Sequence, residues 1–105
     1  MNEREIFVRH DAEIDALAYF DYMHDRSPTA ALRFLSALDR TVENLARNPF
    51  IGRRRRFRNP ALRNLRSWRV EGFENYLIFY RVTETQLEVL RIRHGAMKFP
   101  RALKS

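Results

Sequence analysis

The sequence predicts an α+β fold of the order β-α-α-β-β-β, in which a helical hairpin packs on a small antiparallel sheet. Two amphipathic helical patterns occupy residues 11–47, and three runs rich in aromatic and branched residues follow between residues 65 and 93. Short polar breaks at 72–75 and 83–86 separate these runs, which is typical of a three-strand meander. At 105 residues, the chain is expected to form one domain, residues 1–105.

A first strand and a first helix are predicted at the start of the chain. Residues 5–9, EIFVR, are apolar between charged flanks, as in a short strand. Asp11 is a suitable N-cap for a helix that continues to about His24. Helical spacing predicts that one apolar stripe of this helix is buried. The residues of that stripe are Ile14, Leu17, Ala18 and Tyr22.

The second helix has the clearest boundaries in the chain. Ser27 is a preferred N-cap, and Pro28 is favoured at the first helical position. The helix is expected to end before Asn48-Pro49, since a residue that precedes proline is disfavoured in the α region. Its apolar positions recur at three- and four-residue steps and predict a buried face. They are Ala31, Phe34, Leu35, Leu38, Val42, Leu45 and Ala46.

A basic connection leads from the helices to the three strands. Residues 50–64 contain Gly52 and Pro60, which interrupt regular structure. The run Arg53, Arg54, Arg55 and Arg56 cannot lie in the core, because burying unpaired guanidinium groups costs too much free energy. We expect a solvated loop, a docking site for an acidic partner, or both.

The strands themselves are predicted at residues 65–70, 76–83 and 86–93. The middle strand, YLIFYRV, is apolar on both faces, so it requires a second cover in addition to the helices. A helix of a partner protein or a second copy of the chain could supply that cover.

The composition indicates an acidic partner. Residues 1–52 carry 6 arginines and 9 acidic residues, a net charge of −3, whereas residues 53–105 carry 12 arginines, 2 lysines and 4 glutamates, a net charge of +10. Arginine suits the recognition of carboxylates and phosphates. The absence of cysteine excludes disulfides and thiolate sites, and no apolar run reaches the ~20 residues of a membrane span. We therefore expect a cytoplasmic protein without membrane association.

Arginines on the predicted sheet form the candidate binding surface. Arg91 and Arg93 alternate with Leu90 and Ile92, so we expect one basic face and one apolar face that meets the helices. Arg66 shares a strand face with Trp68. The candidate residues for binding a partner are Arg66, Arg81, Arg91, Arg93, His94, Lys98 and Arg101, together with Arg53, Arg54, Arg55 and Arg56.

No residue pattern identifies a catalytic or cofactor site. His94 has a side chain suited to acid–base chemistry near neutral pH, but it is better explained as a strand-end histidine that hydrogen-bonds the backbone near Gly95. His10 and His24 lie far from it and lack the spacing of zinc ligands. The chain has only 3 glycines and no phosphate-binding loop, so neither a metal nor a cofactor is expected.

Several segments in order resemble the RelE/ParE superfamily of bacterial toxins. They are Ser27-Pro28 with Ala30-Ala31, Asn48-Pro49 with Gly52, Leu62-Arg63, the strand Tyr76–Val82, and Leu90–Ala96. The P-x-x-G after the second helix, the IFYR strand and the final H-G-A look more like the ParE branch than the RelE branch. The resemblance extends through most of the chain.

The two branches imply different functions. The ParE resemblance implies a non-enzymatic inhibitor of DNA gyrase. It also implies that the acidic segment of a ParD-type antitoxin neutralises the toxin. The toxin–antitoxin complex would then contact operator DNA only through the antitoxin. The RelE alternative is a metal-independent, ribosome-dependent endoribonuclease that cleaves messenger RNA.

Departures from both branches bear on activity. RelE-like enzymes place an arginine where this chain has Leu77 and a tyrosine in the tail, where the nearest aromatic residue is Phe99. Both departures argue against RNA cleavage, although Arg81, Arg91, Arg93 and His94 leave a different arrangement open. ParE-like chains commonly read H-G-A-R-D near the end, whereas Met97-Lys98 stands here. A binding module without toxicity is therefore a third hypothesis.

Overall fold

The computed structural model describes residues 3–95 and confirms the predicted order of elements. Lys98, Arg101 and the other residues of the tail lie outside the described residues. A two-residue strand in the basic connection was not predicted. The elements are β1 Glu5–Val8, α1 His10–His24, α2 Pro28–Arg47, β2 Arg53–Arg54, β3 Leu65–Val70, β4 Phe73–Val82 and β5 Gln86–His94, with a short 3-10 helix at Pro60–Leu62.

The five strands form one mixed sheet in the order β1-β5-β4-β3-β2. β3, β4 and β5 form the predicted antiparallel meander, and β2 pairs antiparallel with β3. The expectation of a wholly antiparallel sheet is wrong, because β1 pairs parallel with β5. The helical hairpin and the meander carry the chain back so that β5 runs alongside β1 in the same direction. β4 also begins at Phe73, three residues earlier than predicted, since only a tight turn at Gly72 precedes it.

Helix α2 has the predicted ends and the predicted buried face. The hydroxyl of Ser27 accepts a hydrogen bond from the backbone N–H of Ala30 at 3.2 Å, and Pro28 is the first helical residue. The helix ends at Arg47, before Asn48-Pro49. Phe34 and Leu45 are completely buried against the sheet, so α2 forms the centre of the core.

Helix α1 buries a different face from the one that the sequence predicts. Its N-cap is Arg9, whose side chain makes no capping hydrogen bond, so the expectation that Asp11 is the N-cap is wrong. The predicted stripe is exposed: Ile14 is 50%, Leu17 61% and Tyr22 54% accessible, and Ala18 is exposed as well. The buried or half-buried positions of α1 are Ala12, Asp15, Ala16, Tyr19, Phe20 and Met23.

The free edge of β5 explains why α1 turns its polar residues inward. β1 pairs only with residues 86–89 of β5, so the rest of that strand edge needs other hydrogen-bond partners. Asp15 accepts from the backbone N–H of Ile92 at 2.9 Å, and the Tyr19 hydroxyl accepts from that of His94 at 3.0 Å. Backbone satisfaction therefore outweighs the apolar periodicity of this helix.

A buried tyrosine holds the segment that follows α2. The Tyr80 hydroxyl donates to the Pro49 carbonyl at 2.8 Å and accepts from the Gly52 backbone N–H at 2.9 Å. Arg66 donates to the carbonyl oxygen of Gly52 at 2.9 Å from the same side. Gly52 is required here because a Cβ atom would lie within 2.7 Å of two ring carbons of Tyr80. The P-x-x-G segment is thus fixed by packing against the central strand.

Neither helix within residues 3–95 combines the length and the apolar content needed to traverse a bilayer. Across the same residues, no three acidic or histidine side chains converge in a way that could hold a metal ion.

Candidate partner-binding surface

The sheet face opposite the helices carries a small apolar cluster, which we call the outer cluster. Leu65, Phe79 and Leu90 are buried at its centre. Leu77 and Phe57 pack against them, the latter from the connection between β2 and β3. The second cover that the apolar middle strand requires therefore comes at least partly from the chain itself.

A β-bulge in β5 sets which arginines reach this outer face. Both Leu90 and Arg91 lie opposite Phe79, so the alternation of side chains reverses at this point. Leu87 and Val89 before the bulge, and Ile92 after it, face the helices. The expectation that Leu90 and Ile92 share one apolar face is therefore wrong, since Leu90 belongs to the outer cluster.

The arginines of β4 and β5 on the outer face pair with acids of the chain. Arg81 lies 3.3 Å from the Glu88 carboxylate, and Arg81 also donates to the Ala61 carbonyl at 2.8 Å. Arg9 reaches the same Glu88 at 3.0 Å. These contacts occupy the groups that a partner would have to bind. Glu88 is thus a residue that the sequence analysis missed, and its position between Leu87 and Val89 was the available signal.

Asp15 plays the same role for the other two sheet arginines. Its carboxylate accepts two hydrogen bonds from Arg91, at 2.8 and 3.0 Å, and lies 3.9 Å from Arg93. The Asp15 side chain is only 9% exposed. The hydrogen bond to Asp15 is the largest cause that raises the pKa of Arg91 above its ordinary value. Asp15 was also missed, because no local pattern distinguishes it from the exposed acids of the same helix, Asp11, Glu13 and Asp21.

Two further candidates lie away from the outer face. Arg66 pairs across the sheet with Tyr80 on the helix side, where it donates to the carbonyl oxygens of Phe50 and Gly52. The ring of His94 packs edge-on against Tyr76, at a centroid distance of 5.0 Å, also on the helix side. The predicted set is therefore divided between the two faces of the sheet.

The run Arg53–Arg56 presents charge that no acid of the described residues offsets. Arg53, Arg54 and Arg56 are exposed, and among residues 3–95 none of the three lies within ion-pair distance of a carboxylate. Arg53 and Arg54 form β2, the outermost strand at this edge of the sheet. We call Arg53, Arg54 and Arg56 the basic edge.

Arg55 differs from its neighbours because it is anchored to the sheet. It donates to the Ser67 hydroxyl at 2.8 Å, and its guanidinium lies 5.6 Å from the centroid of the Phe79 ring. Two causes lower the pKa of Arg55 below its ordinary value: the larger is desolvation by burial, and the smaller is the charge of Arg53. Arg55 thus orients the basic edge and fixes it against the outer cluster.

The geometry of these residues suits binding better than catalysis. Leu77, at the position where RelE-like enzymes have an arginine, packs on the outer cluster. His94 faces the helix side, whereas Arg81 and Arg91 lie on the outer side with acidic partners. A site for RNA cleavage needs its base, its acid and its charge around one phosphate.

Comparisons with known proteins agree with the resemblance seen in the sequence. A family model described as "ParE toxin of type II toxin-antitoxin system, parDE" matches residues 6–99. A solved structure titled "Chromosomal ParDE TA system from P. aeruginosa" is similar, with a TM-score of 0.70 and 20% sequence identity. The match covers 88% of this chain and 96% of that one, and it shows the fold. No curated protein sequence matches the chain.

Proposed function

The chain belongs to the ParE toxin family of type II toxin–antitoxin systems, and from this membership we propose that it stops growth by inhibiting DNA gyrase. We further propose that an acidic segment of a ParD-type antitoxin silences it by binding the basic edge. The toxin is then a non-enzymatic inhibitor that acts in the cytoplasm, and it contacts operator DNA only through the antitoxin.

The observation that supports docking of the antitoxin at the basic edge is that some arginines have partners within the chain and others do not. The arginines of the sheet face have carboxylate or carbonyl partners within the chain, so binding a second acid there would first break existing contacts. Arg53, Arg54 and Arg56 have no such partner in the described range and stand at an exposed strand edge. Unpaired exposed guanidinium groups can form charge-assisted hydrogen bonds with an acidic segment at little desolvation cost.

The ribonuclease alternative receives less support from the same residues. Arg81 and Arg93 lie on the outer side of the sheet, and the His94 ring lies on the helix side against Tyr76. Groups on opposite faces of a strand cannot act on one phosphate without a rearrangement of the sheet. Leu77 adds no charge to stabilise a transition state.

Induced expression of the chain tests the target. We expect growth arrest with DNA breaks and intact messenger RNA, and rescue when the adjacent antitoxin gene is co-expressed. Fragmented transcripts with intact DNA would favour the ribonuclease, and normal growth would favour a binding module without toxicity. Supercoiling by purified gyrase, measured with and without the chain, separates direct inhibition from an indirect effect.

A pair of matched variants tests the basic edge. Arg53→Ala combined with Arg54→Ala removes two charges from β2, whereas Arg33→Ala combined with Arg47→Ala removes two exposed charges from α2. We expect the first variant to weaken antitoxin binding roughly tenfold in calorimetry, with a weaker dependence on salt, and the second to change it less than about twofold. Equal effects of the two variants would contradict a specific role for the basic edge.

A further inference from the structure

The outer side of α1 is an apolar stripe that the fold does not use. Ile14, Leu17, Ala18 and Tyr22 follow one another at three- and four-residue steps, so their side chains are neighbours on the helix surface. The three larger side chains are 50–61% exposed. The stripe spans two turns, about 12 Å of helix. A contiguous apolar surface that a fold leaves exposed is typical of a partner site.

The charges around this stripe are mostly acidic. From His10 to Asp25 the chain has five acidic residues and neither lysine nor arginine, and Asp11, Asp21 and Asp25 are exposed. Arg26, which follows them, is the exception, since its guanidinium lies 3.8 Å from the centroid of the Tyr22 ring. Acids in the first turn of a helix interact favourably with its dipole, which accounts for Asp11. Asp21 and Asp25 stand at the opposite end, where the dipole disfavours a negative charge. Helix stability therefore does not explain them.

We propose that the stripe on α1 receives an amphipathic helix of the antitoxin, in which lysine or arginine residues flank the apolar contact positions. This inference rests on the proposed function and adds a second docking surface to the basic edge. An acidic segment does not fit here, because Asp21 and Asp25 would repel it. Two α1 stripes of separate copies do not fit each other either, since both would carry the same acids.

The two docking surfaces lie at opposite edges of the sheet. α1 runs along the edge of β5, next to β1, whereas the basic edge is on β2 at the far side. Their charges have opposite signs, so they select different parts of one antitoxin and define its orientation. Simultaneous binding at both surfaces would strengthen the complex beyond either contact alone.

Two leucines of equal exposure supply a matched test. Leu17 on the stripe and Leu32 on α2 are both 61% exposed, so replacing either by lysine leaves the core intact. We expect Leu17→Lys to weaken binding of the full-length antitoxin about tenfold or more in calorimetry, and Leu32→Lys to change it less than about twofold. Equal affinities of Leu17→Lys and wild type would overturn the proposal. Thermal unfolding of both variants checks that they are folded.

Charge reversal identifies the chemistry of the partner helix. We expect Asp21→Lys combined with Asp25→Lys to weaken antitoxin binding, and tighter binding would overturn the proposal because it would indicate an acidic partner. Sedimentation of the isolated chain provides a second check. A dimer that Leu17→Lys dissociates, with antitoxin affinity unchanged, would assign the stripe to a second copy and overturn the proposal.

These outcomes are distinct from those of the proposed function. Growth arrest and gyrase inhibition test the toxin, whereas the leucine pair tests only where the antitoxin docks. If the chain arrests growth and Leu17→Lys binds the antitoxin normally, the docking surface is wrong and the proposed function stands. If Leu17→Lys loses antitoxin binding but expression of the wild-type chain is harmless, the docking surface stands and the proposed target is wrong.

Discussion

Removal of one hydroxyl group from Tyr80 tests the central packing argument. The hydroxyl makes two hydrogen bonds to the segment after α2, one to the Pro49 carbonyl and one from the Gly52 N–H. Tyr80, Pro49 and Gly52 are all buried. Phenylalanine has the same ring and fills the same volume, so Tyr80→Phe removes these bonds without creating a large cavity.

The expected cost follows from the two backbone groups that lose their partner. A buried donor or acceptor left without a hydrogen bond costs about 1–3 kcal/mol. Two such groups give a loss of roughly 2–6 kcal/mol, which is a large part of the ~5–15 kcal/mol that stabilises a typical domain. The melting temperature of a domain of this size should fall by roughly 4–8 °C for each kcal/mol that is lost.

Urea denaturation measures this change directly. The single tryptophan, Trp68, is half-buried against the core and reports unfolding by fluorescence. Tyr22→Phe is the control, because Tyr22 is 54% exposed and its change should stay within about 0.5 kcal/mol. A loss below about 1 kcal/mol for Tyr80→Phe would refute the reasoning, since the segment would then be held by other contacts.

Three further predictions concern the same contacts and the acid on α1. In urea denaturation, Gly52→Ala should cost more than about 3 kcal/mol, because its methyl group would overlap the ring of Tyr80. Gly72→Ala should cost about 1 kcal/mol, since Gly72 has a φ of 79° and no atom lies within 4 Å of the added methyl group. The reverse order of the two costs would contradict the packing argument. Asp15→Asn keeps a side-chain oxygen that can accept from the backbone N–H of Ile92, but it removes the charge that Arg91 binds. The free energy of unfolding should therefore fall by about 2–3 kcal/mol. A change below about 0.5 kcal/mol would show that the ion pair is dispensable. Burial raises the pKa of Tyr80 in the folded protein, so the wild type should lose stability as the pH rises above the pKa of about 10 that tyrosine has in the unfolded chain. The difference in the free energy of unfolding between the wild type and Tyr80→Phe should therefore be smaller at about pH 10.5 than at about pH 9. A constant difference would argue against this titration.

Local signals were sufficient for the elements whose ends and faces depend on neighbouring residues. Ser27-Pro28 and Asn48-Pro49 define α2 because capping and the restricted backbone of proline act within a few residues. The meander followed from three apolar runs and two short breaks. Residues of α1 were assigned to the wrong face, since Ile14, Leu17 and Tyr22 have helical spacing but the structure buries Asp15 and Tyr19 instead.

The candidate site shows the same division. Alternation predicted that Arg91 and Arg93 lie on the sheet face away from the helices, as they do, but only the bulge opposite Phe79 places Leu90 on that face as well. The pairing of Arg91 with Asp15 joins positions 76 residues apart, which no local pattern reveals. The basic edge was visible as a run of four arginines, yet its separation from Arg55 depends on the contact with Ser67.

By itself, the sequence determined the order of the elements, the central role of α2 and the excess of positive charge in the second half, because capping, periodicity and composition are local properties of the chain. The tertiary structure decided which side of α1 is buried and which arginines remain available to a partner. The physical reason is that β5 has a strand edge longer than β1 can cover, so polar side chains of α1 must satisfy it. In doing so they bind the sheet arginines and leave an apolar stripe on the surface.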